Sequence, residues 1–95
     1  MANKGVSVSN NNSANPDTVK LTITDDLTWT NNGTHPVTIV FLQDRSPFSK
    51  KKFGPINPNG GTANSGSVQG DSGNYPYEIA GGTAGSSDPT VIINR

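Results

Sequence analysis

His35 is the only imidazole in the chain, and there is no cysteine. That excludes disulfides, thiolate catalysis, cysteine-ligated metals, iron–sulfur clusters and any site that needs two imidazoles from one chain. Ser72 has a more suggestive setting. It lies in Gly70-Asp71-Ser72-Gly73 with His35 and Asp44 upstream, the order of a base, a carboxylate and a nucleophilic serine. A working triad also needs an oxyanion hole and a large scaffold to hold three side chains together, which 95 residues do not supply. With 11 glycines in the chain, the tetrapeptide reads instead as the turn ahead of Tyr75. Glu78, expected on a strand, has no partner base, and no catalytic constellation remains.

The one cluster of charge is Ser49-Lys50-Lys51-Lys52-Phe53, with Phe48 just before it. Phe48, Lys50, Lys51, Lys52 and Phe53 are therefore the candidate partner-binding residues, suited to phosphate, nucleic acid or an acidic protein. The plainer reading has the lysines solvate an exposed loop while the two rings pin it to the core. Seven basic residues balance seven acidic ones, so no global field draws nucleic acid or an anionic membrane, and the plainer reading is favoured. The glycine run Asn57–Gly61 lacks a following Gly-Lys-Ser/Thr and is no phosphate loop. Asp25-Asp26 and Asp88 lack calcium-loop spacing. Asn11-Asn12-Ser13 and Asn32-Gly33-Thr34 fit the glycosylation sequon, relevant only in a eukaryotic secretory pathway. No cofactor is expected.

The elements that must position these residues are strands. Apolar residues make up only 29% and charged residues 15%; the balance is Asn, Ser, Thr, Gly and Pro, which favour turns and strand surfaces over helices. Helical periodicity is absent, while alternation with period two recurs. Val6 and Val8 mark a first strand, and Val19, Leu21 and Ile23 a second. Asp25-Asp26 makes a turn, and Leu27 and Trp29 alternate on the return. Asn31-Asn32-Gly33 is a strong turn signal, because both residue types tolerate positive φ. Val37 to Leu42 is nearly continuous apolar, as in a central strand covered on both faces. A helical turn is expected near Ser46–Phe53 and a short polar strand near Thr62–Val68. Tyr75, Tyr77 and Ile79 alternate, and Thr90–Asn94 closes the chain. These strands, about seven, imply one all-β domain over residues 1–95, a Greek-key β-sandwich. Thr22, Thr24, Thr28, Thr30 and Thr38 give one sheet a threonine-rich outer face suited to carbohydrate or a regular surface. No stretch approaches a membrane helix, and the N-terminal residues carry no apolar signal-peptide run.

Thr28-Trp29-Thr30-Asn31-Asn32 followed by Pro36-Val37-Thr38-Ile39-Val40-Phe41 resembles the cupredoxin family, the plastocyanin and azurin group. Gly73-Asn74-Tyr75-Pro76-Tyr77-Glu78-Ile79 is similar to the segment that opens that family's ligand loop, and its distance to Val91–Asn94 suits the loop's length. The resemblance covers about half the chain and implies a cupredoxin-like sandwich. In the family two histidines, a cysteine and a weak axial ligand, usually methionine, hold copper for one-electron transfer. Carried over, those positions fall on Val37, Ile79, Gly82 and Ser87, none of which can serve. The resemblance therefore implies a copper-free domain in which Val37 and Ile79 fill the core and touch. Its expected role is a non-enzymatic binding or structural module for a protein or carbohydrate surface. The alternatives are a metal-handling or electron-transfer protein with a non-standard site around His35, and phosphate or nucleic-acid contact through the basic loop. The family generally works outside the cytoplasm, which favours export by fold analogy alone.

Overall fold

The computed structural model describes residues 3–9, 14–80 and 89–94. Among them run nine strands: β1 (Asn3–Val8), β2 (Ala14–Asn15), β3 (Thr18–Leu21), β4 (Asp26–Asn31), β5 (Val37–Phe41), β6 (Lys52–Ile56), β7 (Gly61–Asn64), β8 (Gly73–Ala80) and β9 (Thr90–Ile93). One sheet has the order β2-β1-β4-β7, the other β3-β9-β8-β5-β6. Pairing is parallel between β1 and β4 and between β3 and β9, and antiparallel elsewhere. The chain passes repeatedly from one sheet to the other, so sequence neighbours β3 and β4 lie in opposite sheets and do not form a hairpin. The architecture is an all-β sandwich. Among the described residues no helix is long and apolar enough to cross a membrane.

Nine strands replace the expected seven for two local reasons. β2 has only two residues inside a polar stretch, too few for any periodicity to show. β6 contains Gly54-Pro55, which disguises it, but at the edge of a sheet proline's missing N–H costs no ladder bond. Gly54, at φ +130, is required there: a Cβ would meet Val37 O at 2.9 Å. The register shifts at this point, between Val37 and Ile39.

Other expectations are corrected as well. β3 stops at Leu21, because Thr22 O accepts from Asp25 N and the Asp25 carboxylate accepts from Thr22 N, closing a turn. Ile23 consequently stands 48% exposed instead of in the core. β5 is buried on one face only; Thr38 and Val40 lie half-buried on the other, Val40 between Glu78 and Lys52 on the neighbouring strands. The polar strand is Gly61–Asn64, shorter than expected. No helical turn forms at Ser46–Phe53; among the described residues the one 3-10 turn is Leu42–Asp44. Ser46 Oγ instead accepts from Phe48 N and donates to Lys50 O, satisfying the backbone without a helix. The five threonines do not share a face: Thr28 and Thr30 are on β4, Thr38 is on the opposite sheet, and Thr22 and Thr24 are in the turn region.

Inward positions of both sheets form one core, with Trp29 fully buried near its centre. The Trp29 ring lies 6.2 Å from Phe41, 6.2 Å from Phe48, 5.0 Å from Phe53 and 5.7 Å from Tyr77. Most of these contacts are edge-on or tilted, the arrangement favoured by the ring quadrupoles. Among the described residues, the buried Trp29 Nε1 and Tyr77 Oη have no hydrogen-bond partner. Burial pushes the Tyr77 phenol up from 10.0 to about 12; the nearby indole N–H opposes this in part, and the charge of Asp17 adds to it. The neutral phenol is thus favoured by the fold. Stability is unaffected while tyrosine is neutral in both states, and falls as pH rises from 10 toward 12, where only the unfolded chain ionises freely. Two pH units correspond to about 2–3 kcal/mol. Tyr77→Phe should be neutral or stabilising at pH 7, since it removes an unsatisfied hydroxyl. It should also shrink the alkaline fall in urea-unfolding free energy relative to the wild type.

Candidate functional site

The strand directions give the sandwich two ends. One carries the Asn32–Pro36 loop and the 57–60 turn; the other carries the Leu42–Lys51 loop, the 22–25 turn and the 65–72 loop. His35 precedes β5 at the first end, and Asp44 and Ser72 lie at the second. They are separated by the length of a strand, roughly 17 Å at the usual rise. The structure does not assemble His35, Asp44 and Ser72. Gly70-Asp71-Ser72-Gly73 is a packed turn: Tyr75 Oη donates to Asp71 O at 2.8 Å, and a Cβ at Gly70 would meet Tyr75 Oη at 2.8 Å.

At the His35 end, Val37 and Ile79 are both buried, 3% and 6% exposed, on the inward face of adjacent strands. The register places Ile39 directly opposite Ile79, so Val37 is the diagonal neighbour of Ile79. Gly82 and Ser87 lie outside the described residues. His35 is exposed, and the described residues contain no cluster of three metal-ligating His, Cys, Asp or Glu side chains. Two aliphatic side chains without a lone pair, in a chain lacking any thiol, do not fit the donor set copper needs.

Asn31 organises this end, although the sequence presents it only as part of a turn. It is fully buried. Its Nδ2 donates to His35 O at 2.7 Å and Ile56 O at 3.0 Å, and its Oδ1 accepts from Gly33 N at 2.9 Å. The amide therefore ties the Asn32–Pro36 loop to β6. Continuing the alternation of Leu27 and Trp29 by two residues would have placed Asn31 inward, a signal obscured by the stronger turn signature of Asn-Asn-Gly.

At the opposite end the basic loop is anchored from beneath. Phe48 and Phe53 are 4% and 5% exposed and belong to the core, so neither ring is presented to a partner. Pro47 O accepts from Gln69 N at 2.7 Å and Gly70 N at 3.1 Å. Lys50, Lys51 and Lys52 are exposed above this platform. Arg45, also exposed, joins them, its guanidinium 4.9 Å from the centre of the Tyr75 ring. The loop and the first residue of β6 thus hold four cations on a backbone fixed by hydrogen bonds and two buried rings.

A polar network covers the other sheet at the same end. Asn3 Nδ2 donates to Asp26 Oδ1 at 2.9 Å and Thr28 Oγ1 at 2.8 Å; Asn64 Nδ2 donates to Asp26 Oδ2 at 3.1 Å and Thr28 Oγ1 at 3.0 Å. The two amides, Asn3 foremost, hold the Asp26 carboxyl below its usual pKa. Beside it Asn3, Ile23, Asp25, Asp26, Gly66 and Ser67 line an open cleft of about 540 Å³. A second cleft of about 360 Å³ is lined by Lys4, Gly5, Pro16, Thr18, Val19 and Lys20. The larger cleft is also lined by Thr24, one of the threonines offered by the sequence for a carbohydrate surface, and neither cleft is lined by a residue of the 48–53 segment.

No protein-family model matches the chain, and no curated protein sequence matches it. Asn31→Ala should leave Gly33 N, His35 O and Ile56 O without their partner and lower unfolding stability by about 2–4 kcal/mol, measured by urea denaturation. Amide exchange in residues 32–35 should quicken more than in β8.

Proposed function

We propose that this chain is a copper-free, cupredoxin-like β-sandwich that works as a non-enzymatic binding module. The observation that carries the reading is the pair Val37 and Ile79, buried in the core where the resemblance expects two copper ligands. Packing does there what coordination would do in a copper protein. The separation of His35 from Ser72 supports the non-enzymatic part of the reading. The contact surface is the loop carrying Arg45, Lys50, Lys51 and Lys52, whose backbone is already ordered and loses little freedom on docking. It suits anionic groups on a protein or carbohydrate surface, and a site of action outside the cytoplasm accords with the family analogy.

Two experiments test this reading. Copper titration followed by calorimetry and visible absorption should give neither stoichiometric heat nor an intense charge-transfer band, with no change on His35→Ala. Tight uptake abolished by His35→Ala would replace the reading with metal handling through a non-standard site. On an immobilised sulfated polysaccharide, Lys50→Glu/Lys52→Glu should elute at clearly lower salt than the wild type, since salt screens such contacts. An equal shift in Lys4→Glu/Lys20→Glu, with none in the loop variant, would move the contact surface to the smaller cleft.

A further inference from the structure

The two sheets have four edges, and three are guarded against pairing with another chain. β2 is two residues long and followed by Pro16. β3 carries Lys20, and β6 carries Lys52 and Gly54-Pro55 with a register shift. The fourth edge, β7 (Gly-Thr-Ala-Asn), has no charge, no proline and no bulge. In sequence its surroundings are neutral, residues 53–70 containing no Asp, Glu, Lys, Arg or His; the charge that touches it is the Asp26 carboxylate of β4, held by Asn64 Nδ2 on the ladder side of the strand.

The main-chain groups of β7 divide by alternation. Ser65 N donates to Leu27 O at 2.7 Å, and Ala63 stands opposite Trp29. Positions 61, 63 and 65 therefore bond to β4, and the N–H and C=O groups of Thr62 and Asn64 point away from it. Among the described residues no strand pairs with that outer edge.

We propose that β7 pairs antiparallel with β7 of a second copy of this chain, joining two four-stranded sheets into one across a two-fold axis at Ala63. Thr62 then stands opposite Asn64 of the second copy in both directions, exchanging reciprocal main-chain hydrogen bonds. Ala63 meets its counterpart at the closest backbone approach, where a small side chain fits. Self-pairing of β3 or β6 would instead bring lysines together, an arrangement like charge disfavours. Neutrality and self-complementarity thus select a second copy as the occupant. The inference does not depend on the copper-free or basic-loop readings.

An edge this short makes a small, weak interface, so the test spans protein concentrations from about 10 µM to 1 mM. In sedimentation equilibrium the average mass should rise from 9.9 kDa toward twice that value. Thr62→Pro removes an outward N–H without touching the β4 ladder, and Thr62→Lys adds the charge the other edges use; both should stay monomeric while keeping the wild-type circular dichroism. Amide exchange at Thr62 and Asn64 should slow as concentration rises, with Ala63 unchanged, an outcome readable in the wild type even if the proline variant fails to fold. A mass fixed at 9.9 kDa throughout, or undiminished association of Thr62→Lys, would overturn the proposal.

Discussion

The aromatic contact around Trp29 is the constraint from which the rest of the molecule follows. A chain with 29% apolar residues has little to spend on a core, and this one concentrates its largest side chains at one cross-sheet junction. Trp29 comes from β4 in one sheet; Phe41, Phe53 and Tyr77 come from the other, and Phe48 from the loop between β5 and β6. Ring pairs contribute about 0.5–1.5 kcal/mol each beyond simple burial. Because rings from the 41–53 stretch and from Tyr77 meet at one indole, that contact sets how the sheets face each other and draws the basic loop against their end. The unpaired indole N–H and Tyr77 hydroxyl are the cost of using large amphipathic rings in so dry a position.

The two ends of the sandwich are fixed by different means. At the His35 end a buried amide, Asn31, serves three backbone groups, and Asn59 N adds a bond to Gly33 O. At the opposite end the loop is held from below by Phe48 and Phe53 and from the side by Pro47 O. A rigid loop with exposed cations follows directly from burying its aromatics. The same two rings cannot serve both the core and a partner, so any binding there rests on Arg45 and the lysines.

Much of the fold was legible in the sequence because half-buried strands write their burial into alternate residues. Val6/Val8, Val19/Leu21, Leu27/Trp29 and Tyr75/Tyr77/Ile79 all face the core as the pattern requires. Alternation says nothing where a strand is two residues long, as in β2, or where Gly-Pro interrupts it, as in β6. It also ran one step too far at Ile23, since a turn closed by the Asp25 carboxylate ended the strand first.

The sequence by itself excluded one chemistry: with one histidine and no cysteine, no arrangement of the chain can supply a copper site of two imidazoles and a thiolate. It also determined the all-β class, through local preferences that act within a few residues. Only the tertiary structure decided that β3 and β4 lie in opposite sheets, that His35 and Ser72 are a strand length apart, and that Asn3, Asp26, Thr28 and Asn64 meet across three strands. These are relations between distant segments, set by how two sheets pack on one indole, and no local pattern of residues carries them.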